Sequence, residues 1–132
     1  MAATFKFEWG SPERVLLSVN AEQAVVPGAD GEFTMLPGHS PVIATLRPGV
    51  LDVMSQGLRK RLFVKSGFVE VDPTRLTVLA EKAFDVDDMT PALLAAEIKP
   101  AEADLANAND DEATSMANTL VSELRRLSNR AA

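Results

Sequence analysis

Gly31-Glu32-Phe33-Thr34-Met35-Leu36-Pro37-Gly38-His39-Ser40-Pro41 is the stretch around which the rest of the chain is organised. One short apolar-alternating segment lies between two turn-forming clusters, Pro27-Gly28-Ala29-Asp30-Gly31 and Pro37-Gly38-His39-Ser40-Pro41. Proline fixes φ and glycine supplies positive φ, so both clusters predict tight, defined turns. The chain's only histidine, His39, sits in the second of them.

Outward from this stretch the chain reads as strands. Thr4-Phe5-Lys6-Phe7-Glu8-Trp9 alternates apolar and polar residues, the period of a half-buried strand, until Gly10-Ser11-Pro12 breaks it. Arg14 to Asn20 and Ala21 to Val26 are two further Val- and Leu-rich pieces. On the other side lie Val42–Leu46, Val50–Met54, Arg59–Lys65, Phe68–Val71 and Arg75–Leu79, with turn signals between them. Many short strands at such spacing predict a β-sandwich or barrel rather than βαβ units. Residues 1–86 are therefore read as an N-terminal antiparallel two-sheet β-sandwich.

From Asp85 the composition changes, and Ala, Leu, Glu and Asp replace the β-branched and aromatic residues. Thr90-Pro91 is a helix start, with Thr as N-cap and Pro where its missing N–H costs nothing. Leu94, Ile98, Ala101 and Leu105 then share one helical face. Pro100 interrupts that helix, so a kink or break is expected near Lys99. Asn107-Ala108-Asn109-Asp110 supplies an interhelical turn, and Met116, Leu120, Leu124 and Leu127 form one face of a second helix. Asp111 and Glu112 lie at its start and Arg125, Arg126 and Arg130 at its end, as the helix dipole favours. Residues 87–132 thus predict a C-terminal αα-hairpin.

Composition narrows the function. With no cysteine there is neither a disulfide framework nor a zinc–thiolate site, which suits a reducing compartment. One histidine and no cysteine also argue against most transition-metal centres, and no metal or cofactor is expected. Residues 1–84 hold nine acidic and nine basic side chains, while residues 85–132 hold ten and four and so carry the whole net charge of −6. Nucleic acid is a poor partner for such a chain, because phosphate binding needs a basic face. The N-terminus lacks the features of a secretion signal, and no apolar run approaches the roughly 18 residues of a membrane span. A soluble protein is expected, free to join a membrane assembly.

Catalytic motifs are missing as well. There is neither a P-loop nor a Gly-x-Ser-x-Gly nucleophile elbow, and Ser40, adjacent to His39, is poorly placed to face it. The pairs Asp87-Asp88 and Asp110-Asp111 stand at helix N-termini, where the dipole accounts for them. No catalytic residue is assigned. His39 reads first as a turn residue bonded to local backbone, Arg59-Lys60-Arg61 as a solvated strand entrance, and the helical Leu and Met stripes as hairpin packing.

The opening stretch, with its Gly-Glu-apolar start and its Pro-Gly-His-Ser-Pro end, resembles the epsilon subunit of F-type ATP synthases, the counterpart of mitochondrial delta. Supporting matches are Ser11-Pro12-Glu13, Leu46-Arg47-Pro48-Gly49-Val50-Leu51, Ser66-Gly67-Phe68-Val69-Glu70-Val71 and Leu76-Thr77-Val78-Leu79-Ala80-Glu81. The resemblance is close over residues 5–88 and rests on length and character in the hairpin. It implies a non-catalytic subunit of the central stalk, or rotor, bound to gamma and to the c-subunit ring and coupling proton flow to ATP synthesis. It implies that Gly31, Glu32, Gly38 and His39 face the polar loops of the c ring, with Glu32 as the acidic contact. Gamma would grip the side of the sandwich. The location implied is peripheral, on the cytoplasmic face of a bacterial inner membrane, with membrane contact only through the complex.

Family members also use the hairpin to inhibit ATP hydrolysis, and some bind ATP through a Leu/Ile-Asp-x-x-Arg-Ala motif. The corresponding stretch here is Val86-Asp87-Asp88-Met89-Thr90-Pro91-Ala92. Pro91 falls where the motif's arginine would be, which weighs against ATP binding. Arg125, Arg126 and Arg130 are candidates for contact with acidic surfaces of the alpha and beta catalytic subunits, with helix C-capping as the competing role. The alternative to the whole reading is a stand-alone sandwich module that binds a small ligand or nucleotide.

Overall fold

Alternating burial builds the N-terminal unit. The computed structural model describes residues 3–11, 13–80 and 83–131, and of Ser11, Arg14, Arg130 and Ala131 only the backbone. Among the described residues the strands are β1 (Phe5–Ser11), β2 (Arg14–Ala21), β3 (Gln23–Gly28), β4 (Gly31–Met35) and β5 (Val42–Thr45). They continue with β6 (Gly49–Ser55), β7 (Leu58–Val64), β8 (Phe68–Asp72), β9 (Arg75–Leu79) and β10 (Ala83–Asp85). One sheet has the order β2-β1-β9-β8-β5 and the other β10-β7-β6-β3-β4. Phe5, Phe7, Leu51, Val53, Val69 and Leu76, every second residue of their strands, are buried in the shared core. The sandwich is as expected from the sequence.

Three details differ from the sequence reading. First, β1 and β9 pair in parallel, while the other strand pairs run antiparallel. Second, Pro27 and Gly28 belong to β3 and not to a turn, and the hairpin to β4 is closed by Ala29 and Asp30 alone. Pro27 is tolerated because β3 pairs with β6 only through Gln23, Ala24 and Val25, so its missing N–H costs no bond in that ladder. Third, the three-residue β10 adds an edge strand against β7 that the sequence did not announce. The basic start of β7 is paired as well as solvated. Arg59 bonds Asp52, which raises the guanidinium pKa further, and the Lys60 ammonium lies 2.7 Å from the Asp85 carboxylate.

The chain divides into two compact units, Met1–Asp85 and Val86–Ala132. In the second, a single 3-10 turn (Val86–Asp88) leads to α1 (Pro91–Ala106), which packs on α2 (Asp111–Ala131). The Thr90 hydroxyl accepts from the Leu93 N–H at 3.2 Å, and the Asp110 carboxylate accepts from the Ala113 N–H at 2.7 Å, so both helices carry the expected kind of N-cap. The break expected near Lys99 is absent, and α1 runs through Pro100. Pro100 and Ala96, whose carbonyl loses its partner, are both exposed, so water can satisfy the freed oxygen. Leu94, Ala101, Val121, Leu124 and Leu127 are buried, whereas Met116 is 41% exposed. The buried stripe of α2 passes through Ala117 and Val121, one position round from Met116.

Candidate docking edge

The β4 strand and the turns at its ends form a surface held from several sides. At one end, Gly28 and Gly31 pair across the Ala29-Asp30 turn. That turn is pinned to the end of β5 through Ala29 N–H to Thr45 O at 2.8 Å and Arg47 N–H to Pro27 O at 3.0 Å. At the other end, His39 N–H donates to Leu36 O at 3.2 Å with Pro37 and Gly38 between them. Gly38 has φ +86°, the conformation that the third position of a type II turn requires and that glycine adopts without strain. Gly38 N–H in turn donates to Pro73 O at 2.8 Å, which ties this loop to the β8–β9 turn.

That supporting turn has its own electrostatics. The Asp72 carboxylate accepts from the Thr74 N–H at 2.8 Å and from its hydroxyl at 3.0 Å. These bonds, the backbone one first, hold the Asp72 pKa below its ordinary value, with Arg75 adding to the effect. A depressed folded-state pKa stabilises the fold above the unfolded pKa, and the contribution is lost as pH falls through the folded value. Asp72→Ala is therefore expected to lower the melting midpoint by a few degrees at neutral pH. Thermal melts of both proteins should converge as the solution is acidified through and below the carboxylate range.

Glu32 and Thr34 point outward and are exposed, while Phe33 and Met35 alternate inward. Among the described residues no ion pair holds the Glu32 carboxylate. Half-buried His39 brings its Nδ1 within 2.7 Å of Ser40 O. A carbonyl can only accept, so Nδ1 is the donor in this contact. The structure thus gives His39 the local backbone bond expected of a turn residue. The four residues singled out from the sequence, Gly31, Glu32, Gly38 and His39, lie on this one edge.

The edge continues onto β5, the outer strand of its sheet. Ile43 is 73% exposed and Phe68 of neighbouring β8 is 55% exposed. The register Ile43↔Glu70 and Thr45↔Phe68 puts the two on the same outward face. An open groove of about 520 Å³ lies between β5 and the β3–β4 turn, lined among others by Phe33, His39, Val42 and Ala44. A second, of about 680 Å³, crosses β5, β8 and β9 beside Glu70, Asp72 and Arg75. Phe33, Ile43 and Phe68 were not singled out from the sequence. For Ile43 and Phe68 the available signal was a large apolar residue at an outward position of the pleat, while Phe33 alternates inward and carried none.

Arg125 and Arg126 are engaged within their own unit. Arg125 bonds Glu102 across the helix pair at 2.5 Å, and Arg126 lies 3.7 Å from Glu123 one turn earlier. Because α2 continues to Ala131, Arg125 and Arg126 stand short of its last turn, and Arg125 ties helix to helix rather than capping an end. The side chain of Arg130 lies outside the described residues. Among the described residues no helix is long and apolar enough to cross a membrane, and no group of three or more His, Cys, Asp or Glu could hold a metal ion.

Residues 4–86 match the family model of the ATP synthase delta/epsilon chain β-sandwich domain. An ATP synthase epsilon chain from Mesorhizobium japonicum is 44% identical over 128 residues, 96% of this chain and 95% of the relative. Another from Parvibaculum lavamentivorans is 40% identical over 128 residues, covering 96% and 97%. Among solved structures, a chain of the Euglena gracilis mitochondrial ATP synthase, solved with OSCP, F1 and the c-ring, superposes with TM-score 0.75 at 17% identity. That likeness, which covers 98% of this chain and 82% of the other, is one of fold. The sandwich and its family model define the class, the delta/epsilon chains of ATP synthase. The chain belongs to the ATP synthase epsilon-chain family, as a non-catalytic subunit of that membrane-associated complex.

Proposed function

We propose that this subunit works in the central stalk, with the Gly31–Pro41 edge on the c-subunit ring and the β5 face on gamma. It then turns with both and couples proton flow to ATP synthesis. The observation that carries the reading is the exposed Glu32 carboxylate on an edge whose two turns are pinned by backbone hydrogen bonds. An outward carboxylate on a pinned backbone is suited to a polar, partly basic loop, and such rim contacts govern register and association rate. The β5 face is the more apolar of the two surfaces, and exposed contiguous apolar side chains mark protein contact sites. The sandwich is thereby assigned gamma and ring binding, and residues 87–132 regulation of hydrolysis against the alpha and beta subunits.

The location that goes with this role is peripheral, on the cytoplasmic face of a bacterial inner membrane. The bacterial relatives at 40% identity and above support it.

Glu32→Gln keeps the strand and removes the charge. Its affinity for detergent-solubilised c ring is expected to fall about fivefold, mainly through the association rate, with a shallower salt dependence. Unchanged affinity and salt dependence would rule Glu32 out as the ring contact. Pro91 at the arginine position of the ATP motif argues that the hairpin lacks regulatory ATP binding. Calorimetry with Mg-ATP is accordingly expected to show no micromolar site, and finding one would favour the nucleotide-binding alternative.

A further inference from the structure

Phe33 sits where the two turns of the docking edge come together. Its register partner is Val26, so its side chain stands on the core side of β4 and diagonally opposite Gly28. A Cβ built on Gly28 would lie 3.3 Å and 3.4 Å from two carbons of the Phe33 ring, so the aromatic edge rests directly on that glycine. On its other side the ring meets the His39 imidazole, with centroids 6.0 Å apart and planes tilted by 40°. Phe33 thus touches both the β3–β4 hairpin end, at Gly28, and the Pro37–Pro41 turn, at His39. An aromatic laid over a strand glycine fills the space that a missing side chain leaves. Aromatic contacts in this geometry also add orientation to simple burial.

We propose that Phe33 is the positioning residue of the docking edge. Seated between Gly28 and His39, it holds the β3–β4 hairpin end, where Glu32 stands on β4, and the turn that carries His39 as one rigid surface. The proposal rests on the ring-docking reading above and adds to it the part that sets its geometry. Phe33 need not touch the ring itself. A surface presented without this wedge would have to be ordered on binding, and that ordering is paid from affinity.

The test uses the full chain and detergent-solubilised c ring, with Phe33→Leu, Phe33→Tyr and Glu32→Gln alone and combined. Phe33→Leu keeps an apolar side chain but removes the ring, and its affinity for the c ring is expected to fall about tenfold while gamma affinity is unchanged. Phe33→Tyr should restore binding. In the Phe33→Leu background Glu32→Gln should cost little more, because a carboxylate that is no longer positioned has little left to lose. His39 is the only histidine, so its imidazole NMR signals are unique; they should shift in Phe33→Leu and stay in place in Glu32→Gln. Should Phe33→Leu fail to fold, Phe33→Met, an apolar side chain without the aromatic ring at a position outside the c-ring contacts, takes its place. Wild-type affinity in Phe33→Leu alongside weakened Glu32→Gln would overturn the proposal and leave the docking reading standing. Independent, multiplying losses would overturn it in the same way. If Glu32→Gln and Phe33→Leu both bind normally, the docking reading itself fails and the proposal falls with it.

Discussion

Gly67→Ala is expected to cost the sandwich about 4 kcal/mol or more, enough to lower its melting midpoint by about 20 °C. Two effects add at this position. Gly67 has φ +140°, outside the conformations that residues with a Cβ adopt without strain. A Cβ there would also lie 2.3 Å from the Leu79 carbonyl oxygen and 3.0 Å from the Ala80 Cα. Those are backbone atoms, and they cannot swing aside. Ala80 is held by its own N–H bond to Gly10 O at 3.3 Å, and Gly67 O accepts from the Leu46 N–H at 2.9 Å. Relief on either side therefore breaks a second contact between strands. Gly38→Ala is the comparison: its φ of +86° carries strain, but nothing lies within 4 Å of the added methyl. It should cost only about 1–2 kcal/mol. Thermal melts of the two variants test the difference, and equal midpoints would show that the close approach at Gly67 relaxes freely.

What could be read from the sequence follows from what period and turn chemistry encode. Alternation placed the strands because a strand with one face buried must alternate, as β6, β8 and β9 do. Alternation is the same for parallel and antiparallel neighbours, so the parallel β1–β9 pair carried no signal of its own. β10 is too short, and buried only in part, to show a period at all. Pro27 and Gly28 read as a turn because composition cannot tell a turn from the end of a strand that keeps its ladder on one side only. Pro100 signals a break for a related reason: the cost of a helical proline falls when the orphaned carbonyl faces water, and exposure is a tertiary fact.

The docking edge was legible in part. The turns that flank Glu32 and carry His39 are legible from Pro and Gly, and the family resemblance gives them a partner. The contact of Phe33 with His39 joins residues six apart across a turn, and no periodicity reports it. Ile43 and Phe68 were equally hidden, because a lone apolar residue at an outward position is ordinary until the register sets two of them side by side.

That pair carries the largest functional effect expected. Ile43→Glu combined with Phe68→Glu should abolish measurable gamma binding, a loss of more than about a hundredfold. Side chains of this size yield about 1.5–3 kcal/mol each when an exposed site becomes buried. Their replacement also brings two carboxylates into a surface that must lose its water, which adds a penalty of its own. Because both positions are largely exposed in the free chain, the fold should tolerate the change, and the melting midpoint serves as the check. Leu58, 74% exposed at the start of β7 in the other sheet, supplies the control. Leu58→Glu introduces the same charge on an equally exposed leucine and should leave gamma binding intact. Titration of purified gamma against the three proteins separates the readings. Loss only in the Ile43 and Phe68 variant places gamma on the β5 face. Loss in the Leu58 variant instead moves gamma to the other sheet, and the assignment of the β5 face falls.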